Sequence, residues 1–417
     1  MLNSSPSNSV DFKWFKEHLC SEILPNWLQA TTDEGIFLPH FDRMWTPGGK
    51  GYGTLVSQSR LIYNFSRGYE LTGSEDYFRA VENGTKFLLE NFWDNENGGW
   101  YWSCSRNGEI LDKSKDLYGH AFAIFGLSHA YATLGDEEIK EAAIETWDVI
   151  NNHFADKQGG YVQGLSTDFT HEVEDIKSQN PIMHLFEALI SFSNLCKPES
   201  LVEEAEKIAR FVTEHLVRSS NGILPELFTL DWKELPEDRG GRIDTGHALE
   251  WSYLLSWAVE SGFSYEYLTH ATNFLEYGLR FGYDFENGGI FSPVSPTGNQ
   301  LAIRKGWWQQ CELIRSLMHF AVIRGREDLW EVLSQSLNYI KEYFVDHEYG
   351  GWFQIVEARS GTDVKEEESE WKVSPRLSHL FPRASFIATD KGSEWKVDYH
   401  IVGMCVEANR PEYGGCI

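Results

Sequence analysis

The sequence predicts an all-α fold, an (α/α)6 barrel of six helical hairpins with short β-hairpins at one end. Two observations support this prediction: a glycine motif recurs at a nearly constant interval, and each interval carries the pattern of two amphipathic helices. Such a fixed period is typical of repeat architectures. Five copies contain a Gly-Gly pair and two contain a single glycine, and one glycine from each copy gives the series Gly35, Gly99, Gly160, Gly222, Gly289, Gly351 and Gly415.

These seven glycines are 61 to 67 residues apart and bound six units. In the first unit, Leu55, Leu61, Ile62 and Phe65 recur at the spacing of one helical face, and Gly73 follows as a helix terminator. Segments 99–102 and 351–354 follow Gly-Gly turns and are predicted as strands of small hairpins. The predicted helix pairs are 55–71 and 76–92, 117–134 and 137–154, 181–195 and 201–216, 246–259 and 265–281, and 307–323 and 328–344.

Six helical hairpins can stack as an open solenoid or close into a ring. An open solenoid needs polar capping repeats at its ends, and neither end unit of this chain has that character. The first helices of the units are also rich in Trp and Tyr. We therefore predict a closed ring of six inner and six outer helices, formed by a single domain over residues 1–417.

The composition restricts the class of partner. The formal net charge of −27 disfavours nucleic acid and anionic membranes, because both need basic patches. The sequence has no apolar run of membrane-spanning length and no secretory signal over residues 1–10, and its six cysteines are scattered. No Walker or Rossmann glycine loop is present, so no nucleotide cofactor is expected. We predict a cytoplasmic protein, monomer or homodimer, that needs no cofactor.

Polar residues recur in phase with the repeat. Arg60, His120, His184, His247 and Trp308 follow one another at intervals of 60, 64, 63 and 61 residues in the first helix of each unit. Equal phase predicts equal height in the ring, so these side chains should meet in one pocket. Several histidines in register favour acid–base chemistry over a purely structural role.

Two of these histidines have a carboxylate three residues further on, Glu187 after His184 and Glu250 after His247. Residues at i and i+3 share a helical face, so each carboxylate could orient its imidazole. Such pairs on two helices could also hold a metal ion. Arg60 and the lack of a His-Glu-x-x-His motif or a close Cys pair argue against this, so no metal is expected.

A glycosidase is a second alternative, because it needs two carboxylates across the scissile bond. Asp244, Glu250 and Glu312 are the candidates. However, the residues in phase are mainly His and Arg. Such a set suits the removal and return of a carbon-bound proton beside a carbonyl, with a cation stabilising the enediolate oxygen.

The chain resembles the N-acylglucosamine 2-epimerase superfamily from about Trp14 to Glu407. This resemblance implies an (α/α)6 barrel that opens the ring of a free reducing sugar and moves the C2 proton through a cis-enediolate. Return of the proton to C2 gives the epimer, whereas return to C1 gives the ketose. The motifs that carry the resemblance are Ser59-Arg60, Met183-His184-Leu185-Phe186-Glu187, Gly246-His247-Ala248-Leu249-Glu250, Trp307-Trp308-Gln309-Gln310-Cys311-Glu312 and Trp395-Lys396-Val397-Asp398-Tyr399-His400.

The resemblance also implies the roles of individual residues. His247 and His400 would be the acid–base pair, oriented by Glu250 and Glu312 respectively, and Arg60 would hold the enediolate oxygen. His400 lies outside the helix phase of the others, so the resemblance alone identifies it. The residues predicted to bind the sugar are His184, which could also assist ring opening, Glu187, His120, Trp308 and Trp395.

The substrate is less closely defined. Cellobiose epimerases are expected to have Asn-Gly-Arg after the last histidine, whereas residues 401–404 read Ile-Val-Gly-Met. This difference favours a small hexose, D-mannose, over the alternatives of an N-acylglucosamine or cellobiose. A glycoside hydrolase or a non-catalytic sugar-binding protein is a more distant alternative. Epimerase and isomerase are not separated, and the charged segment 357–391 is either a lid or a solvated excursion.

Overall fold

The computed structural model describes residues 10–196, 200–302, 304–357 and 389–413. Thirteen α-helices are present in these ranges. They are α1 Phe12–His18, α2 Leu24–Trp27, α3 Leu55–Thr72, α4 Glu75–Phe87, α5 Leu117–Leu134, α6 Glu137–Val149, α7 Asn180–Cys196, α8 Ser200–Phe211, α9 Thr245–Glu260, α10 Tyr267–Gly282, α11 Trp307–Val322, α12 Trp330–Tyr339 and α13 Tyr399–Ala408.

Six of these helices form a closed inner ring. Helices α3, α5, α7, α9, α11 and α13 each pack on the next, and α13 packs on α3. Helices α4, α6, α8, α10 and α12 lie outside, each against the inner helix before it. The sixth outer position belongs to α1, which packs on α13. The predicted all-α barrel is confirmed, and its last hairpin combines the two ends of the chain.

Inner and outer helices differ in how much of their surface is buried. In α5 every residue from Leu117 to Ala130 is buried, because the barrel interior covers one side and the outer helices cover the other. In α4 the buried residues form one stripe that includes Tyr77, Val81 and Phe87. An apolar stripe is what a helix needs when its other face meets water.

The predicted helices agree with the structure to within about two residues at most ends. Four outer helices are prolonged by a π-helical turn, which accounts for predicted ends at 92, 154, 216 and 344. These turns are Leu88–Phe92, Ile150–Phe154, Val212–Leu216 and Ile340–Phe344, and a fifth, Leu19–Ile23, follows α1. Short 3₁₀ turns cover Leu28–Ala30, Glu237–Arg239, Glu327–Leu329 and Pro411–Tyr413.

The recurring Gly-Gly motif forms a tight turn held by a buried ion pair. After α4, Gly98 and Gly99 both have positive φ, a conformation that glycine adopts without steric cost. The Asp94 carboxylate accepts hydrogen bonds from the backbone N–H groups of Glu96 and Asn97 within this turn. It also accepts a hydrogen bond from Nζ of the buried Lys115 at 2.9 Å. The same pairing recurs between Asp156 and Lys177, Asp284 and Lys305, and Asp346 and Lys391.

Short antiparallel strands lie at the N-terminal ends of the inner helices. β1 pairs with β2, β2 with β3, β4 with β5, β6 with β7, and β8 with β9. Their bounds are β1 Tyr52–Thr54, β2 Ser103–Ser105, β3 Ile110–Asp112, β4 Lys115–Asp116, β5 Gly164–Leu165, β6 Lys177–Ser178, β7 Leu227–Phe228, β8 Arg304–Gly306 and β9 Ile355–Glu357.

The predicted strands at 99–102 and 351–354 are wrong in position. Trp100 and Trp352 each make a single bridge, to Trp93 and Val345, and the paired strands begin several residues later. The glycine pair turns the chain so sharply that only one residue on each side faces the other. A propensity-based prediction does not contain that geometry.

Among the described residues, no helix is long and apolar enough to span a bilayer. The five described cysteines are all free. The predicted lid or excursion at 357–391 lies, apart from its ends, outside the described residues.

Candidate active site

A cluster of polar side chains lies where the inner helices begin. Each inner helix is separated from the next by an outer helix that runs back, so all six start at the same end of the barrel. His247 is the third residue of α9, and Trp308 and His400 are the second residues of α11 and α13. His184 is the fifth residue of α7. The structure therefore brings these four predicted residues together at one end.

His247 forms the first of two histidine–carboxylate dyads. Its Nδ1 lies 2.8 Å from Oε2 of Glu226, in the loop before β7. Glu226 also accepts hydrogen bonds from Ser178 Oγ at 2.9 Å and from Gln179 Nε2 at 2.8 Å. This carboxylate is thus held by several donors and fixes the imidazole in one orientation.

The predicted pairing of Glu250 with His247 is wrong. Glu250 lies one turn further along α9, and its Oε1 is 4.0 Å from His184 Nε2 on the neighbouring helix. The His247 ring instead reaches the loop that carries Glu226. Sharing a helical face did not bring the two side chains into contact, because each one points to a different neighbour.

His400 forms the second dyad, with Glu312. His400 Nδ1 lies 2.8 Å from Glu312 Oε1, as the resemblance implied. The centroid of the Trp308 ring lies 4.7 Å from that of His247 and 5.4 Å from that of His400. Both imidazoles therefore contact the same indole, and neither Nε2 has a hydrogen-bond partner among the described residues.

His184 belongs to a third group of contacts. Its Nδ1 lies 3.3 Å from Glu187 Oε2, which confirms the proximity predicted from their i, i+3 spacing. Tyr399 donates its hydroxyl hydrogen to the same oxygen. The His184 ring also packs edge-on against Tyr118, at a centroid distance of 5.0 Å. His184 is therefore enclosed by groups from three inner helices.

Arg60 is held in a defined position at the edge of this cluster. Its Nη1 donates to the Trp395 carbonyl at 3.0 Å, and its Nη2 donates to the Tyr118 hydroxyl at 2.6 Å. The guanidinium also lies over the Phe122 ring at 4.1 Å. These contacts join Arg60 to the half-buried Trp395, which is in the loop before α13.

The two dyads differ in protonation. Burial and the nearby Arg60 lower the pKa of His400 well below its usual value, so its ring is neutral near pH 7. Burial also opposes protonation of His247, but Glu226 and Asp244 outweigh it and raise the pKa of His247. The site therefore presents one imidazole suited to accept a proton and one suited to donate a proton.

Glu250 is a buried carboxyl group without a hydrogen-bond partner among the described residues. Burial, followed by the charges of Glu312 and Glu187, raises its pKa well above the usual value. Its neutral form is therefore favoured, and in that form the carboxyl group can donate a hydrogen bond. A buried polar group left unpaired by the protein is available to a ligand.

His120 does not join the cluster, so its prediction as a sugar ligand is wrong. It lies two residues after Tyr118, and positions i and i+2 point to different sides of a helix. Its Nε2 accepts the backbone N–H of Trp100 at 3.0 Å, and its Nδ1 lies 2.7 Å from the Asp116 carbonyl. His120 therefore supports the turn at Gly99. Gln58 and Gln310 support the equivalent turns by accepting the N–H of Phe37 and Ile290.

The loop that leads to His400 is tied down by several buried groups. Asp398 has a φ of 57°, which is unfavourable for a residue with a side chain. Its carboxylate accepts the Trp27 indole N–H at 2.9 Å and Lys396 Nζ at 2.7 Å. Asn64 donates to the Val397 carbonyl at 2.6 Å. These bonds fix the start of α13 and with it the height of His400.

Sequence reasoning missed several members of the cluster. Glu226 and Arg315 carry no periodic signal, because their importance comes from partners on other units. Tyr118 and Tyr399 each adjoin a motif that was recognised, and their polar tips were the available signal. Asp398 lay within a recognised motif, but its left-handed backbone is visible only in the structure.

The clustered carboxylates and imidazoles have ligand atoms within 4.8 Å of one another in two sets, His184–Glu187–Glu250 and Glu250–Glu312–His400. Distance alone would suit a divalent cation. However, Arg315 Nη1 already lies 3.5 Å from Glu187 and 3.6 Å from Glu312. Its positive charge disfavours a second cation between the same carboxylates.

The chain is similar to known proteins along most of its length. The family model of N-acylglucosamine 2-epimerase matches residues 35–379. A cellobiose 2-epimerase of Bacteroides fragilis is 24% identical over 94% of this chain and 97% of its own length. A D-mannose isomerase of Marinomonas mediterranea is 25% identical over 96% of this chain and 97% of its own.

A crystal structure of D-mannose isomerase superposes with a TM-score of 0.83 at 23% identity, covering 97% of this chain and 99% of that one. At this identity the superposition establishes the fold. The family-model match covers most of the chain and includes Arg60, His184, His247 and Glu312. The chain therefore belongs to the N-acylglucosamine 2-epimerase family and is a sugar epimerase or isomerase.

Proposed function

We propose that the enzyme acts on free D-mannose, without a cofactor, by moving the C2 proton through a cis-enediolate. The observation that carries this proposal is the pair of dyads that meet at Trp308. Each histidine has its Nδ1 occupied by a carboxylate and its Nε2 unoccupied by described residues, and the two rings differ in protonation. A proton can thus be removed on one side of a bound sugar and supplied on the other.

The first step in this proposal is opening of the sugar ring. Glu250, as an acid beside His184, is suited to protonate the ring oxygen. The C1–O5 bond then breaks while the neutral His184 takes the proton of the C1 hydroxyl, and C1 becomes a carbonyl. The open-chain sugar then lies against Trp308 and Trp395, whose rings pack against the apolar face of its carbon chain while polar groups bind its hydroxyls.

Proton transfer follows from the protonation states. His400 Nε2 takes the C2 proton, and the C–H electron pair forms the C1–C2 double bond while the carbonyl oxygen becomes negative. Arg60 and the N-terminal ends of the inner helices stabilise that charge. His247 then donates its Nε2 proton to the other face of C2 and gives glucose. Alternatively, His400 returns its proton to C1, the O2 proton moves to O1, and fructose forms.

Mannose is supported by two considerations. One of the most similar relatives is a D-mannose isomerase. In addition, Arg315 is committed to the carboxylates of Glu187 and Glu312, which suits an uncharged sugar better than a phosphorylated one. The relatives named cellobiose 2-epimerase and, at 24% identity, mannose-6-phosphate isomerase define the alternatives to be tested.

The test is to incubate chelator-treated protein with D-mannose in deuterium oxide and to follow the sugar by proton NMR. Glucose with deuterium at C2 would support 2-epimerisation, and fructose alone would support isomerisation. Turnover of cellobiose, N-acetylmannosamine or mannose 6-phosphate, but not of mannose, would support the proton-transfer mechanism and contradict mannose as the substrate. Failure to exchange a C2 proton in any of these sugars would contradict the proposed mechanism.

A further inference from the structure

We propose that Arg315 is a positioning residue that keeps the carboxylates behind His400 and His184 ionised, and thereby sets the acid limit of the enzyme's working pH range. The inference rests on the proposed function, since it assumes that His400 takes the C2 proton. Arg315 does not need to touch the sugar in order to have this effect.

The position of Arg315 is the first support. It lies one turn after Glu312 on α11 and is 8% exposed. Its Nη1 is 3.5 Å from Glu187 Oε1 and 3.6 Å from Glu312 Oε2. The other oxygen of each carboxylate holds the Nδ1 of a histidine, His184 or His400. One guanidinium therefore contacts both carboxylates on the side away from the imidazoles.

The surroundings of Arg315 make its charge effective. Its guanidinium lies 3.9 Å over the ring of Tyr253, and its Nε has no hydrogen-bond partner among the described residues. Water therefore screens its charge poorly. The titratable and charged groups that interact with it are carried by several inner helices, and they are Tyr63, Glu187, Tyr253, Glu250, Glu312 and Tyr399. Arg60 is a second cation that, like Arg315, lowers the pKa of His400.

The balance at Glu312 is the second support. Burial raises the pKa of Glu312 to about 7, and the charge of Arg315 is the largest influence in the opposite direction. At Glu187 burial also opposes ionisation, but His184 and Arg315 outweigh it and lower the pKa to about 2. Glu312 is therefore close to protonation, and loss of Arg315 would raise its pKa further.

The protonation of Glu312 decides which nitrogen of His400 carries the hydrogen. An ionised Glu312 accepts the Nδ1–H of His400, which leaves Nε2 unprotonated and able to take the C2 proton. A protonated Glu312 can donate its own hydrogen to Nδ1. The hydrogen of the neutral ring is then on Nε2, which can no longer act as the base.

The test compares Arg315→Met, which removes the charge, with Arg315→Lys, which keeps it. After thermal unfolding has shown that each variant folds, kcat and KM are measured between about pH 5 and 9. We expect Arg315→Met to lower kcat near pH 7 by about 10- to 100-fold, with KM within about threefold of wild type. Activity should recover as the pH rises, because Glu312 then ionises, and the midpoint of the acid limb should move up by about one pH unit or more.

The charge-conserving variant and a control at a distant cation sharpen this test. Arg315→Lys should restore most of the shift in the acid limb. Arg410→Met removes a cation that pairs with Glu260 and Glu407 at the opposite end of the barrel, and it should leave the limb unchanged. If Arg315→Met does not fold, Arg315→Gln, which also removes the charge, takes its place. A folded variant that loses the same factor at every pH would overturn the proposal.

A second readout does not depend on turnover. Nitrogen-15 NMR of the histidine rings reports whether the His400 hydrogen is on Nδ1 or Nε2. We expect the Nδ1–H form in the wild type at pH 8, and the Nε2–H form to persist to higher pH in Arg315→Met. If the wild type exchanges the C2 proton of none of the tested sugars, the proposed function is contradicted. The NMR measurement still shows whether Arg315 controls the position of the hydrogen on the His400 ring. An unchanged tautomer profile would refute that effect.

Discussion

Two buried polar clusters lie at opposite ends of the same barrel, and they contain the same kinds of residue. The candidate active site is where the inner helices begin. The second cluster, called here the closed-end cluster, is where α11 and α13 end, and it comprises Tyr253, His319, Glu407, Arg410 and Tyr413. Each cluster combines imidazole, carboxylate, guanidinium and phenol groups in a buried environment.

The clusters differ in whether their hydrogen-bonding capacity is used. In the closed-end cluster, His319 bonds through Nδ1 to Glu407 at 3.2 Å and through Nε2 to Ser256 at 2.9 Å. Glu407 also accepts hydrogen bonds from the hydroxyl groups of Tyr253 and Tyr413. In the candidate active site, both oxygens of Glu250 have no such partner among the described residues, and each dyad histidine bonds to a described carboxylate through Nδ1 and not through Nε2. Residue type therefore does not distinguish a site from a structural network, whereas unused capacity does.

The largest effect is expected for the histidines with a free Nε2. His400→Gln should lower the rate of C2 proton exchange by about 10²- to 10⁴-fold, because a positioned acid or base contributes about that much. The matched change at the closed end, His319→Gln, should leave the exchange rate per folded molecule near that of wild type. Deuterium incorporation at C2, measured by NMR, provides the comparison, and equal losses in the two variants would contradict it.

Glu407→Gln should affect stability and not chemistry. Removing one partner of a buried ionic network costs about 3 kcal/mol of unfolding free energy, whereas kcat of the folded variant should not change. Denaturant unfolding and kcat are the two measurements. A variant of normal stability that has lost activity would reverse the assignment of the two clusters.

The pH dependence of stability gives the closed-end cluster a second test. Although burial opposes it, His319 and Arg410 lower the pKa of Glu407 to about 2 in the folded protein. The stabilisation from this group is therefore complete above the unfolded pKa of about 4.3 and is lost as the pH falls towards 2. The free energy of unfolding of Glu407→Gln should therefore fall less steeply between about pH 5 and pH 2 than that of the wild type.

A smaller effect is expected for the carboxylate that orients His247. Glu226→Gln should lower kcat by about 10- to 100-fold and lower the pKa of His247, since Glu226 is the main influence that raises it. Since the proposed reaction needs a protonated His247, the midpoint of the basic limb of the pH–kcat profile should then move to lower pH. Imidazole NMR is the direct measurement, with Glu250→Gln as the control that should shift the His247 titration less.

The smallest effect is expected at His120, whose nitrogens are both satisfied. His120→Gln should keep kcat within about twofold and the unfolding free energy within about 1 kcal/mol, because Gln58 and Gln310 support equivalent turns. His120→Ala should cost about 1–3 kcal/mol, because it leaves the buried Trp100 N–H without an acceptor. Thermal unfolding of the two variants separates these outcomes, and a large loss of kcat in His120→Gln would restore His120 to the site.

Much of the architecture could be predicted because it depends on local patterns. The glycine period, the helical spacing around Leu61 and Phe65, and the terminator Gly73 each involve neighbours in sequence. The strands near Trp100 and Trp352 were misplaced by several residues, because their pairing depends on a turn formed by two left-handed glycines. Local propensity does not describe that turn.

Sequence patterns were enough to predict the repeat, the helices, the closed ring and the residues near the helix starts, which are His184, His247 and, through family resemblance, His400. The partners of these side chains are visible only in the folded structure: Glu226 and not Glu250 for His247, backbone groups for His120, and two carboxylates for Arg315. Helical spacing determines which residues share a face of one helix. The hydrogen-bond partners of a buried side chain come from adjacent helices and loops, whose relative heights are set by packing around the whole ring.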